Sequence, residues 1–214
     1  TVAVIGIIYG AIVATMQPDL KRVIAYSSIA HLGFVVLGIF SFTEQGYSGA
    51  TFTMVSHGLT TGALFAIVGM MYDRTHTREI SDYSGLMKTV PVLSGAFLIA
   101  TFASVGLPGF SGFVGEFLAM LGSFQAARFY TVVAVTGVIF AALYLLWAYQ
   151  RVFTGEPNEL AKKMPAISFR ELLVVVPLLL MSLVLGLAPQ YMLDRINPAS
   201  DKATTHISKT IHVG

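Results

Sequence analysis

Residues 104–118 read SVGLPGFSGFVGEFL, and this stretch decides the fold because Glu116 stands inside a long apolar run beside four glycines and a proline. An ionised carboxylate at mid-bilayer depth costs at least about 2.5–3.5 kcal/mol. The glycines and Pro108 predict a break in the helix between about Val105 and Gly112. Transporters build ion sites from a broken helix with an ionisable group at the break. The stretch therefore indicates that the chain moves protons or ions across a membrane.

The composition of the chain supports a membrane location. Its 214 residues are 55% hydrophobic and 11% charged, whereas a soluble domain carries about 25% charged residues. The net charge of +2 is too small to suggest nucleic-acid binding, and the absence of cysteine excludes disulfides and thiol chemistry. The chain opens with Thr1 inside an apolar segment, so we interpret it as a piece of a longer protein.

Apolar runs of about 20 residues predict membrane-spanning helices, and the chain has enough of them for an all-α, polytopic membrane helix bundle. The run 91–125 is long for one span and short for two, and its only charge is Glu116. We interpret it as a single broken span, because nothing polar separates its halves. Residues 46–48 are predicted to form a turn. The prediction is a bundle over 1–188 and a polar C-terminal tail over 189–214, with spans at about 1–16, 23–42, 49–72, 91–125 (broken), 129–150 and 170–187.

Positive charge predicts the orientation of the bundle. Nine of the 13 Lys and Arg residues fall on the side that carries loops 17–22, 73–90 and 151–170. Basic residues concentrate on the cytoplasmic or matrix side of a membrane, so these three loops are predicted to face in.

Two polar stripes run through the predicted spans. His31 follows Lys21 by ten residues, about 15 Å along one helix, and His57 stands among hydroxyl residues at helical spacing. Histidine accepts and donates protons near neutral pH, which suits it to a proton relay. The alternatives remain open: hydroxyls in membrane helices usually bond their own backbone, the histidines would also serve as interhelical donors, and Lys21 as a positive anchor at a helix end.

Four motifs carry a specific resemblance. They are DLKRVIAYSSIAHLGF (19–34), VSHGL (55–59), DRTHTR (73–78) and LPGFSGFVGEF (107–117). In this order they resemble the antiporter-like membrane subunits of proton-pumping NADH:quinone oxidoreductase, respiratory complex I, and the likeness extends from Thr1 to about Asp194. Glu116 favours the subunit-4 type, the M chain of the bacterial enzyme, because the subunit-5 type and related cation/proton antiporter subunits usually have lysine there.

The resemblance implies a fold of fourteen membrane helices with two inverted five-helix repeats, each with one broken helix. This chain resembles the C-terminal part, that is, the second repeat plus a final helix. Glu116 is then expected to be the terminal proton carrier before release on the outer side. His57 and His31 are expected to pass protons along the polar axis, and Lys21 to tune or feed that axis near the inner side.

The implied function is proton translocation coupled to quinone reduction elsewhere in the complex, as a subunit of NADH:quinone reductase without redox chemistry of its own. No cofactor is expected in this chain, whereas FMN, iron–sulfur clusters and quinone are implied in partner subunits. The expected partners are other membrane-arm subunits, including neighbouring antiporter-like ones, and lipid, but no nucleic acid. The location is the mitochondrial inner or bacterial plasma membrane. Two alternatives are kept: a subunit of a cation/proton antiporter or membrane-bound hydrogenase, and a scaffold whose polar residues only join helices.

Overall fold

The computed structural model describes residues 1–211, with side chains up to Ile207. The described chain is helical and contains no strand, which confirms the all-α prediction. Residues 212–214 of the predicted tail lie outside the described residues. The helices are α1 (Val2–Thr15), α2 (Leu20–Ile39), α3 (Glu44–Thr75), α4 (Leu86–Thr89), α5 (Pro91–Val105), α6 (Ser111–Ala126), α7 (Arg128–Phe153), α8 (Glu159–Lys163), α9 (Phe169–Leu187) and α10 (Gln190–Ile211), with a short 3₁₀ helix at Ile80–Asp82.

Four of these helices, α2, α3, α7 and α9, are long and apolar enough to cross a membrane. The shorter α1 and α5 are apolar as well. Large apolar side chains such as Ile139 and Leu187 are about 70% exposed on the surface of the bundle. A soluble protein would bury side chains of this kind, whereas a membrane protein presents them to lipid or to neighbouring helices.

The predicted break is present in the run 91–125. Helix α5 ends at Val105, and Gly106 caps it in the left-handed conformation with a φ of 82°. Gly109 also has a positive φ, 104°, and α6 begins at Ser111. Because side chains with a β-carbon rarely adopt these φ values, glycine at both positions lets the chain leave one helix and enter the next within six residues.

Helices α5 and α6 follow one another along the same length of the bundle that α7 covers as a single helix. Helix α6 ends at Ala126, immediately before α7 begins. The start of α5 lies beside the end of α7, since the rings of Phe97 and Phe153 are 4.9 Å apart between centroids and the Gly85 amide donates to the Thr154 carbonyl at 2.9 Å. The run therefore forms two helices in series, joined at the break, and that it crosses the membrane once stays a prediction.

The three loops predicted to face in meet at one end of the bundle. The Leu20 amide donates to the Arg78 carbonyl at 2.9 Å, and the Ile80 amide donates to the Pro18 carbonyl at 2.8 Å. The Asn158 side chain donates to the Asp82 carbonyl at 2.8 Å, which ties the third loop to the second. We call this end, with loops 17–22, 73–90 and 151–170, the inner end.

Helix starts follow their capping residues. Asp19 accepts a hydrogen bond from the Arg22 amide at 3.1 Å and begins α2, as its sequence position predicts. The predicted turn at 46–48 was wrong, because Thr43 caps α3 through the Gly46 amide at 3.1 Å. This cap places residues 46–48 in the first turns of α3.

The segment after 189, predicted only as a polar tail, forms helix α10 up to Ile211. The segment is polar on average, but it is amphipathic, with apolar side chains on one face of the helix. Asn197 accepts a hydrogen bond from Ser48 of α3 at 2.9 Å. The segment is thus packed on the bundle as a helix.

Candidate proton-transfer site

A histidine and a glutamate meet in the centre of the bundle. Nδ1 of His31, on α2, lies 2.5 Å from Oε1 of Glu116, on α6. The two residues are 2% and 5% exposed, so the pair is shielded from lipid and water. Both were expected to take part in the proton path, and the structure brings them into direct contact although they lie 85 residues apart in sequence.

Close contact between α3 and α6 sets the position of Glu116. A β-carbon at Gly115 would lie 2.6 Å from the Thr53 hydroxyl oxygen and 2.7 Å from the Thr53 amide nitrogen, so only glycine fits there. At the break, Oε2 of Glu116 is 3.7 Å from the position that a β-carbon of Gly106 would take. Small residues let membrane helices approach this closely, and the carboxylate is thereby held against the break.

His57 is the second imidazole of the site. Its ring centroid lies 5.5 Å from that of His31, and the Thr61 hydroxyl is 3.2 Å from its Nδ1. His57 is only partly buried. The three groups His57, His31 and Glu116 therefore follow one another from α3 through α2 to α6.

A small cavity adjoins these groups, with about 10 Å³ of space for the centre of a water molecule. That is close to the volume needed for one water. The Ser104 hydroxyl, in a side chain 4% exposed, lines the cavity and has no hydrogen-bond partner among the described residues. The lining residues are His31, Thr53, Ser56, His57, Thr60, Ser104, Gly112 and Glu116.

Three buried serines form a chain of hydrogen bonds that begins at Ser56 in the cavity wall. The hydroxyl oxygens of Ser56 and Ser111 are 2.7 Å apart, and those of Ser111 and Ser182 are 2.9 Å apart. They belong to α3, α6 and α9, so the first residue of α6 is tied to two neighbouring helices.

Other hydroxyls serve their own helices, as the alternative interpretation of the polar stripes proposed. Ser28 donates to the Ile24 carbonyl at 3.2 Å, and Thr53 to the Gly49 carbonyl at 2.8 Å. Such bonds satisfy the hydroxyl locally and leave it without a direct bond to the relay residues.

Lys21 does not join the central cluster. It is exposed in the first turn of α2, at the inner end. His31 lies ten residues further along the same helix, about 15 Å away along its axis. Lys21 thus lies at the inner end as defined above, too far for direct contact with the pair.

Sequence reasoning missed Tyr144. It was treated as part of a plain apolar span, yet it is 1% exposed and its hydroxyl oxygen lies 3.3 Å from Nε2 of His31. A tyrosine hydroxyl in an apolar helix needs a hydrogen-bond partner when it is buried, and that was the available signal. The contact of Ser111, at the start of α6, with Ser182 of α9 was missed because hydroxyls at helix interfaces are common in membrane proteins.

A second charged pair lies at the inner end. Arg74, at the end of α3, holds Glu171 of α9 through two hydrogen bonds, Nη1 to Oε1 at 2.6 Å and Nη2 to Oε2 at 2.7 Å. Arg74 also donates to the Met70 carbonyl at 2.8 Å, and Glu171 accepts from the Ser168 amide at 2.7 Å in a capping box. This pair fastens the last loop to α3.

The central arrangement can hold a proton and hand it on. A carboxylate accepts hydrogen bonds, whereas a carboxylic acid also donates one, and an imidazole exchanges its proton near neutral pH. A contact of 2.5 Å between the two groups permits a proton to move along a single hydrogen bond. Among the described residues there is no group of three or more His, Cys, Asp or Glu side chains that would bind a metal ion.

The chain is similar to subunits of respiratory and antiporter complexes. It is 46% identical over 209 residues to NADH-quinone oxidoreductase subunit M of Mycobacterium tuberculosis (strain CDC 1551 / Oshkosh), covering 98% of this chain and 38% of that protein. A chain of respiratory complex I from Thermus thermophilus superposes with a TM-score of 0.90 at 35% identity, over 95% of this chain and 43% of that one.

A chain of the Mrp complex from Dietzia sp. DQ12-45-1b has the same fold, with a TM-score of 0.85 at 22% identity, over 95% of this chain and 47% of that one. This chain thus spans less than half the length of each of these proteins. Residues 1–141 match the model of the family described as "NADH:quinone oxidoreductase/Mrp antiporter, TM". The chain belongs to this family of transmembrane proton-antiporter-like subunits.

Proposed function

We propose that this chain belongs to a proton-translocating membrane-arm subunit of NADH:quinone oxidoreductase, of the M type, and that Glu116 carries the transported proton. One observation carries the proposal: the buried 2.5 Å contact between His31 and Glu116 beside a helix break. The identity to a subunit named M supports the choice of subunit. Burying an ionisable pair in a membrane is costly, and such pairs typically serve transport.

The proton step is an exchange within the pair. A protonated His31 gives its Nδ1 proton to the Glu116 carboxylate, which leaves a neutral imidazole and a neutral carboxylic acid. Glu116 then releases the proton toward the outer side and returns to its ionised state. Changing the charge of a neighbour alters how readily a buried carboxylate binds a proton, so a charge that moves nearby drives loading and release.

His57 supplies protons to His31 in this proposal. Their ring centroids are 5.5 Å apart, which is too far for a direct hydrogen bond between most ring atoms, and the adjoining cavity has room for about one bridging water. Lys21 acts earlier, at the inner end, where its charge attracts or tunes the proton supply from about 15 Å away along α2.

The complex supplies the energy. Redox chemistry would take place in partner subunits that hold FMN, iron–sulfur clusters and quinone, and neighbouring antiporter-like subunits would flank this chain in the membrane arm. This chain contributes the proton path and no redox group.

A cation/proton antiporter subunit is the second candidate, because the family includes Mrp antiporters and the fold matches a chain of an Mrp complex. A membrane-bound hydrogenase subunit belongs to the same class. In an antiporter, transport would depend on Na⁺ or another cation and would continue without NADH, whereas in the first proposal it stops when quinone reduction is inhibited.

The test compares Glu116→Gln with Glu116→Asp in the intact complex reconstituted into vesicles. Glutamine keeps the volume but binds no exchangeable proton, so the proton yield per NADH should fall while assembly persists. Aspartate keeps a titratable group on a shorter stem, so it should retain part of the yield. If the glutamine variant pumps like the parental complex, Glu116 is structural and the scaffold alternative is correct.

A further inference from the structure

Tyr144 is the buried polar group that the proposed proton path leaves unused. It lies inside α7, its side chain is 1% exposed, and its hydroxyl oxygen is 3.3 Å from Nε2 of His31. His31 is thus held at both ring nitrogens, at Nδ1 by Glu116 and at Nε2 by Tyr144. A side chain that touches the far nitrogen of a proton carrier controls which nitrogen bears the proton.

The donor and acceptor rules favour one arrangement for a neutral His31. An ionised Glu116 only accepts, so the hydrogen bond to Oε1 forms only in the tautomer with its proton on Nδ1. Neutral imidazole has one N–H, so Nε2 is then an acceptor. The hydroxyl of Tyr144 is a donor within reach of Nε2, and it stabilises this tautomer over the one with the proton on Nε2.

The same hydroxyl also suits a protonated His31. Imidazolium donates from both nitrogens, so Nε2–H would donate to the Tyr144 oxygen. The hydroxyl hydrogen of Tyr144 then needs another acceptor, and the nearby hydroxyl of Ser27, one turn before His31 on α2, is the candidate. The hydroxyl of Ser27 donates to the Ile24 carbonyl at 2.7 Å, which leaves its oxygen free to accept.

We propose that Tyr144 is a positioning residue that keeps the proton of neutral His31 on Nδ1, facing Glu116, while Glu116 is ionised, and that its hydroxyl rotates to Ser27 when Nε2 of His31 carries a proton. No heavy atom has to move between the two states. The tautomer depends only on the contacts around His31, whereas its value for proton transfer rests on the proposed function.

The test is the tautomer of His31 in the intact complex, read by ¹⁵N NMR of histidine-labelled protein. A His31→Gln complex identifies the His31 signal by difference. In the parental complex neutral His31 should show the Nδ1–H form, and in Tyr144→Phe it should show a mixture with the Nε2–H form. Loss of one hydrogen bond should also slow proton transfer by roughly fivefold.

Two control variants distinguish loss of the Tyr144 hydroxyl from a general disturbance of the packing around it. Tyr149→Phe removes a hydroxyl from the same helix that contacts only the Met87 sulfur, at 3.8 Å, among the described hydrogen bonds. Ser27→Ala removes the neighbouring hydroxyl that is the candidate second acceptor for Tyr144 but leaves the contact of Tyr144 with Nε2. Both should keep the Nδ1–H form, and a shift to the Nε2–H form in either would overturn the proposal.

A Tyr144→Phe complex whose His31 remains purely Nδ1–H would overturn the inference, whatever its pumping rate. A mixed tautomer in Tyr144→Phe, together with normal pumping by Glu116→Gln, would support the positioning of His31 and refute the proposed function of Glu116. The two proposals therefore fail separately.

Discussion

Two pairs of cation and carboxylate in the described chain differ in kind: His31 with Glu116 in the centre, and Arg74 with Glu171 at the inner end. His31 and Glu116 share one hydrogen bond, and no further partner of the Glu116 carboxylate is found in the described part of the chain. Arg74 and Glu171 share two, and each is further held by backbone groups. The proposed function assigns proton exchange to the first pair, whereas the second pair holds α3 and α9 together.

The chemistry of the cations explains this division. A guanidinium remains protonated at all physiological pH values and matches a carboxylate with two parallel hydrogen bonds. An imidazole changes charge near neutral pH. Replacing Arg74 should therefore affect assembly, whereas replacing His31 or Glu116 should affect transport, and each prediction below tests this contrast.

The largest effect on stability is expected at Arg74. Arg74→Met leaves Glu171 without its cation in a site where the two side chains are only 12% and 23% exposed. Breaking such a pair should cost roughly 3 kcal/mol. Thermal unfolding and yield of the purified complex would measure it, and the proton yield per NADH of the complex that does assemble should be unchanged.

Arg78→Met is the matched control for this variant. Its side chain is 40% exposed and contacts Asp19 at 3.3 Å, so it should cost less than about 1 kcal/mol. If Arg74→Met lowers the proton yield without loss of stability, the assignment of a purely structural role to Arg74 and Glu171 is wrong.

A smaller effect on stability is expected at Gly115, where a substitution should affect both the packing of α3 against α6 and the proton yield. In Gly115→Ala the new methyl group would lie 2.7 Å from the Thr53 amide nitrogen, so α3 and α6 must move apart. Overpacking of this kind costs about 1–3 kcal/mol. Because Glu116 is the next residue, both the unfolding temperature and the proton yield should fall.

Gly58→Ala provides the comparison for Gly115→Ala, since a β-carbon at Gly58 meets nothing within 4 Å. It should be neutral or stabilise α3 by about 0.5–1 kcal/mol. Equal effects of the two alanine variants would show that helix packing does not set the position of Glu116.

The smallest effect is expected at the exposed pair of Lys88 and Glu156, 2.5 Å apart at the inner end. The hydrogen bond and the charge of Lys88 lower the pKa of Glu156. A lowered carboxyl pKa adds stability above the unfolded pKa and loses it as the pH falls through the folded pKa. Glu156→Gln should therefore lower the unfolding temperature only slightly at neutral pH and not at all in acid, and a large loss at neutral pH would contradict this.

Much of the fold could be predicted from local sequence. Apolar length predicted the spans, and the glycines and proline around Leu107 predicted the break, because both signals depend on nearby residues. The prediction of a turn at 46–48 was wrong because Thr43 caps a helix that continues through Gly46. Helix α10 was missed because its apolar face is interrupted by many polar residues.

The central site could be predicted only in part. An ionisable residue stands out in an apolar run, so Glu116, His31 and His57 could be predicted as interior polar residues without coordinates, while their role stays a prediction. Their contacts depend on how α2, α3 and α6 pack, and no local pattern reports that His31 touches Glu116. Tyr144 lies 113 residues from His31 in sequence, and only the folded chain joins them.

The most direct test of the central claim is the protonation of Glu116 during turnover. Infrared difference spectroscopy of the intact complex, with and without NADH, detects the carbonyl stretch of a carboxylic acid that gains or loses a proton. The parental complex should show such a band, Glu116→Asp should show it displaced, and Glu116→Gln should lack it. If the spectra of the parental and glutamine complexes coincide, Glu116 keeps one protonation state and does not carry the proton.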